Sequence, residues 1–124
     1  MKNGNNWTAA YPLNVHTARN VVDGDEEILQ ELFQIFLEHL PEQLGELQSA
    51  LKEQDAKKVQ FFAHQIKGAM RNFAAETACK RAYALERAGK ENQLAESGTL
   101  FRSLAEEIDV LTLYIEKMGW KKYF

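Results

Sequence analysis

Apolar residues recur along the chain at helical spacing, and nowhere do they alternate with a period of two over a useful length. Leu29, Phe33, Phe36, Leu40, Leu44, Leu47 and Leu51 step by 4, 3, 4, 4, 3 and 4 residues. A mean step of about 3.6 places them on one stripe of a long amphipathic helix. Pro41 falls inside this run and removes the hydrogen bond to Leu37. The stripe continues in register beyond it, which predicts a kink in one helix rather than two helices. Val59, Phe62, Ala63, Ile66, Met70 and Phe73 form a second stripe, all within about 60° of its centre at roughly 100° per residue. This helix starts near Ala56 and reaches Met70 or a little further. A third helix, with Thr77 as its N-cap, turns Ala78, Ala82 and Leu85 inward and stops at Gly89. Its small residues suit close packing on the second. In the last helix Phe101, Leu104, Ile108, Leu111, Ile115 and Met118 step by 3, 4, 3, 4 and 3. That heptad-like seam packs along its length against neighbours.

The links are short and carry helix signals. Asp23-Gly24-Asp25 is a turn whose Asp25 caps the first long helix, with Glu26 and Glu27 in its first turn. Gln54-Asp55 ends that helix and caps the next, and Ala74-Ala75-Glu76 is a short turn. Residues 13–22 form a short helix laid over one end. The expected fold is all-α: an up-down-up-down four-helix bundle with a short additional N-terminal helix. Residues 13–118 form the domain. Residues 1–12, with Trp7 and Tyr11, and residues 119–124 are expected as tails, the N-terminal one flexible.

The outer face of the second helix carries the candidate chemistry. His64, Gly68 and Arg71 lie roughly 120 to 180° from the apolar stripe, and Lys67 lies at about 80°. Glycine in mid-helix costs about 1 kcal/mol against alanine. Here it leaves bare space one turn from an exposed imidazole. Lys67 offers a compact, rotatable cation to the same space. An approachable imidazole beside a mobile cation suits the carrying of a phosphoryl group. Taken alone, His-x-x-Lys-Gly is a weak signal, because most histidines on helix surfaces are simply solvated.

Composition narrows the classes. The chain has 124 residues, 45% hydrophobic and 27% charged, enough for one domain with a real core. No apolar run approaches the length of a membrane span, and the Asn-rich start does not read as a signal peptide. Cys79 is the single cysteine and reads as a packing residue rather than a reactive thiol. A cytoplasmic protein is expected. The net charge of −3 hides an asymmetry. Residues 57–90 hold eight Lys and Arg against Glu76 and Glu86, a net of +6, while the remainder carries −9. The histidine segment is thus a positive face on an acidic chain, suited to a phosphate or an acidic partner. An acidic chain with so short a basic surface argues against nucleic-acid binding.

Several blocks, in order, resemble the histidine-containing phosphotransfer domain of two-component phosphorelays. They are Asp23-Gly24-Asp25-Glu26-Glu27, Phe36-Leu37-Glu38-His39-Leu40-Pro41-Glu42, Ala63-His64-Gln65-Ile66-Lys67-Gly68-Ala69 with Asn72-Phe73-Ala74-Ala75, and Ala84-Leu85-Glu86. The resemblance spans about residues 13–118, and within the family it extends to the first domain of chemotaxis kinases. It implies that His64 accepts the phosphoryl group, that Lys67 steadies the phosphoryl oxygens and that Gly68 keeps the ring accessible. Glu86 matches, more weakly, a polar position near the site. It further implies that His64 takes the group from a receiver-domain aspartyl phosphate and gives it to another receiver. Partners would be response-regulator receiver domains and a hybrid sensor histidine kinase, with no nucleic acid and no membrane, and the chain would be a monomer. The chain would be a carrier, not an independent enzyme, with no cofactor of its own; the Mg²⁺ belongs to the receiver. There is no Gly-rich loop between strand and helix to hold ATP. Two departures from the family pattern are visible: Ala74-Ala75 where glycine is common after the turn aromatic, and Arg71 where small residues are common.

An unperturbed imidazole, with a pKa of about 6.5, is mostly neutral at pH 7 and can attack phosphorus. Nε2 is the expected nitrogen. Phe61 falls about 200° from the core stripe, so it is expected to be partly exposed as a contact for a partner helix. Gln60, Gln65, Arg71 and Glu86 complete the expected partner-binding surface, and Lys57 and Arg87 extend its positive field. Two rival readings compete. A helical interaction module that no longer carries phosphate is one; the presence of both His64 and Lys67 argues against it. A metal-binding bundle is the other, but it needs Glu-x-x-His pairs, which the chain lacks, and His16, His39 and His64 share no ligand spacing.

Overall fold

A computed structural model describes residues 12–117. Among them every regular element is helical. α1 spans Val15–Val21, α2 Glu26–Lys52, α3 Ala56–Asn72, α4 Glu76–Lys90 and α5 Ser97–Glu116. Trp7, Tyr11, Met118 and the residues after it lie outside the described part. α2 packs on α3, α3 on α4 and α4 on α5, and α5 returns to α2. Short links make chain neighbours antiparallel, so the four long helices close an up-down-up-down bundle. α1 packs on α2, and the Asn14 amide donates to the Ala74 carbonyl at 3.1 Å, tying α1 to the α3–α4 turn.

The expected stripes meet inside the bundle. Leu29, Phe33, Phe36, Leu40 and Leu47 of α2 are buried with Val59, Ala63, Ile66 and Met70 of α3 and Leu104, Ile108, Leu111 and Ile115 of α5. Phe62, Leu44, Leu51 and Phe101 are only partly buried, at the margins of the core. The Phe73 ring, just past α3, lies 5.0 Å from Phe33 and 5.1 Å from Phe36, which fastens the end of α3 to α2. Pro41 lies inside an unbroken α2. Its own position is exposed, so the turn it weakens faces solvent and the apolar stripe passes it intact.

One device closes four helices. Asp23, Gln54, Ala74 and Asn92 have left-handed φ of 52°, 57°, 52° and 52°. After α3, Ala74 N–H donates to Arg71 O at 3.0 Å and Ala75 N–H to Met70 O at 2.9 Å. The same pair of bonds recurs after α1, α2 and α4, satisfying carbonyls that each helix end would leave unpaired. Glycine is the usual residue at this position, yet none of the four is glycine. Asn14, Asp25 and Asp55 cap α1, α2 and α3 through their side-chain oxygens.

Two expectations for the third long helix need correction. Thr77 is not the N-cap: α4 starts at Glu76, and Ala75 precedes it without any side-chain cap. The left-handed Ala74 reverses the chain so sharply that Ala75 is fully buried, where a polar cap would be costly. Nor does Gly89 stop the helix, which runs on to Lys90. Gly89 is the point of closest approach to α3. A Cβ there would lie 2.6 Å from Gln60 N and 2.7 Å from Ala56 O. With Ala63, Ala78 and Ala82 fully buried, α3 and α4 form the most extensive helix pairing in the bundle.

Candidate functional site

The close α3–α4 pairing brings residues of both helices together on the bundle surface. His64 is exposed at mid-helix, its side chain 65% accessible. Across the groove, Glu86 of α4 turns its carboxylate toward α3. Glu86 Oε2 lies 2.8 Å from His64 Nδ1, and Glu86 Oε1 lies 2.7 Å from Lys67 Nζ. One carboxylate therefore bridges the histidine and the lysine. An ionised carboxylate only accepts hydrogen bonds, so Nδ1 is the donor in this contact. In the neutral ring, Nε2 then carries the lone pair, on the side of the imidazole away from Glu86.

Electrostatics agree with this geometry. Burial pushes the Glu86 carboxyl up, but the contacts from Lys67 and His64 more than offset it, and the group is held below its ordinary value of 4.5. Glu86 is the weakest match on sequence, yet it is the group that joins the other two. Lys67 also differs from expectation. Its side chain is only 12% exposed, and its ammonium lies 5.1 Å from the centre of the Tyr83 ring. The ammonium is engaged by a carboxylate and an aromatic face rather than standing free in solvent. The hydrophobic pattern does not single out Tyr83. The available signal was its place three residues before Glu86, on the same face of α4.

Gly68 borders open space. A Cβ built there meets nothing within 4 Å, so helix packing does not demand the glycine. Phe61 is 56% exposed, its ring set edge-on against Phe62 at 5.2 Å. Lys57, Gln60, Phe61, His64 and Glu86 line one shallow depression. Gln65 and Arg71 are exposed further along α3, while Gln60 is half-buried. Arg87 is engaged by Glu91 at 2.8 Å, which weakens its expected share in the positive field. Lys57 and Arg71 form no ion pair among the described residues. Cys79 is half-buried, its Sγ 3.8 Å from the Lys67 carbonyl, in keeping with a packing role. No group of His, Cys, Asp and Glu suited to a metal ion occurs among the described residues, and no described helix is long and apolar enough to cross a membrane.

The family model of the Hpt domain matches residues 31–113, well over half of the chain. The chain belongs to the Hpt domain family. The bundle is similar to the crystal structure of histidine-containing phosphotransfer protein B (HptB) from Pseudomonas aeruginosa PAO1, with a TM-score of 0.81 and 21% identity over 91% of this chain and 97% of that one. It is also similar to the HPT domain of an Hpt sensor hybrid histidine kinase from Shewanella, with a TM-score of 0.74 and 18% identity over 86% and 92%. No curated protein matches by sequence. As an Hpt domain the chain is a phosphotransfer intermediate of a phosphorelay, a carrier rather than a classical enzyme. Domains of this kind interact with receiver domains and hybrid kinases.

Proposed function

We propose that His64 is the phosphoryl-accepting residue and that Nε2 is the nitrogen that carries the group. The observation behind this reading is the Nδ1–Glu86 contact at 2.8 Å on a ring otherwise open to solvent. The Nε2 lone pair attacks the phosphorus of an aspartyl phosphate on a receiver domain. The new N–P bond forms as the P–O bond breaks, and the aspartate carboxylate leaves with the electron pair. The proton stays on Nδ1, so the phosphorylated ring is a cation facing the Glu86 carboxylate. Lys67 neutralises phosphoryl oxygens, and the open space at Gly68 admits them. Transfer of this kind depends on in-line positioning and charge neutralisation more than on covalent machinery. The reverse steps deliver the group to a second receiver.

Phe61, Gln60, Gln65 and Arg71 form the docking rim in this reading, with Phe61 as its apolar anchor. The chain works without an ATP site or cofactor of its own, as a cytoplasmic monomer, and Mg²⁺ belongs to the receiver. The test is direct. A phosphorylated receiver is mixed with the purified protein and with its His64→Gln variant, and label is followed. Label in the first and none in the second is expected; label reaching the variant would end the assignment. Lys67→Ala is expected to slow transfer or shorten the phosphohistidine lifetime, and no effect on either removes Lys67 from the mechanism.

A further inference from the structure

We infer that Tyr83 is a positioning residue for phosphoryl transfer, acting through Lys67; this rests on the phosphotransfer reading of His64. Tyr83 and Glu86 project from the same face of α4, three residues apart. Lys67 reaches across from α3 to both. Its ammonium meets the Glu86 carboxylate at 2.7 Å and the Tyr83 ring at 5.1 Å from the centroid. The distance is within cation–π range. The lysine side chain is only 12% exposed, although Tyr83 beside it is an exposed residue. Lysine on an open helix face would sample many rotamers. Here a carboxylate and an aromatic face hold the ammonium one turn from His64.

The two contacts have different fates in the reaction. When phosphoryl oxygens arrive, they compete with Glu86 for the ammonium, since both are anionic acceptors. The aromatic face is neutral and does not compete. Tyr83 can therefore hold the lysine stem and ammonium near the ring while the anion partner changes from carboxylate to phosphoryl. Its effect should depend on the negative face of the ring, not on the hydroxyl, and should vanish when the lysine is absent.

The experiment measures label transfer from a phosphorylated receiver to the full chain. Tyr83→Phe is expected to transfer at the unsubstituted rate. Pentafluorophenylalanine at position 83 keeps the ring's shape but inverts the charge of its face, and should slow transfer about two- to fivefold, the factor expected of a cation–π contact at an exposed site. In a Lys67→Ala background the two ring variants should transfer at equal rates. Equal rates with Lys67 present overturn the role of Tyr83, as does a slowing that persists undiminished in the Lys67→Ala background. An unsubstituted protein that takes no label overturns the phosphotransfer reading itself, and is recognised before any variant is compared.

Discussion

Glu86 Oε2 lies 2.8 Å from Nδ1 of His64, although 22 residues separate the two in sequence. The contact orients the imidazole and assigns its tautomer, while the other oxygen of the same carboxylate holds Lys67. A Glu86→Ala substitution should therefore release both groups at once. Transfer to His64 is expected to fall about tenfold, the factor carried by roughly 1.4 kcal/mol, near the low end for a charge-assisted hydrogen bond. Glu86→Gln keeps an acceptor for Nδ1 but loses the charge facing Lys67, and should fall between. Initial rates of label transfer to the three proteins check the order.

The same carboxylate makes stability depend on pH. Its folded-state pKa is depressed, so near and below pH 4.5 the unfolded chain binds more protons at this position than the folded one. The contribution is fully present above the ordinary carboxylate range. It is lost as pH falls through the depressed folded value. Melting temperatures of the unsubstituted protein and of Glu86→Gln should differ most at neutral pH and converge in acid. A gap that widens in acid would contradict the assigned direction.

Gly68 separates stability from access. A methyl group there touches nothing, so Gly68→Ala should stabilise the fold by about 1 kcal/mol through helix propensity. Gly68→Gln should also stabilise the helix, but its side chain extends into the space offered to the phosphoryl group. Denaturant midpoints are expected to rise for both variants, and transfer to His64 to fall sharply only for the second.

Gly89 is the opposite case. A Cβ would meet backbone atoms of Ala56 and Gln60 well inside contact distance. Gly89→Ala should cost about 1–3 kcal/mol as α4 is pushed away from α3. The shift would also draw Glu86 from His64, so slower transfer should accompany the lower melting temperature.

Ala74 holds a left-handed φ of 52°, which costs an alanine about 1 kcal/mol that glycine avoids. Ala74→Gly is expected to recover part of this, net of the entropy glycine adds to the unfolded chain. A small rise in the urea midpoint, with transfer unchanged, checks it. The left-handed backbone is the physical reason glycine suits this position.

Much of this molecule is legible from residue order alone. The α-helical periodicity of Leu29 to Leu51, Val59 to Phe73 and Phe101 to Ile115 reports which side of each helix leaves water, because burial of apolar area drives the packing. Once three stripes are known, His64 must lie on an outer face, one turn before a glycine. What the spacing within one helix leaves open is the offset between two helices. Only the folded bundle decides that α4 slides along α3 until Gly89 meets Ala56 and Gln60. That fit of backbone against backbone sets Glu86 opposite His64 and Tyr83 over Lys67. It also explains why Gly89 looked like a helix stop and Thr77 like a cap: local propensity saw a glycine and a threonine, while close packing decided what each position had to be.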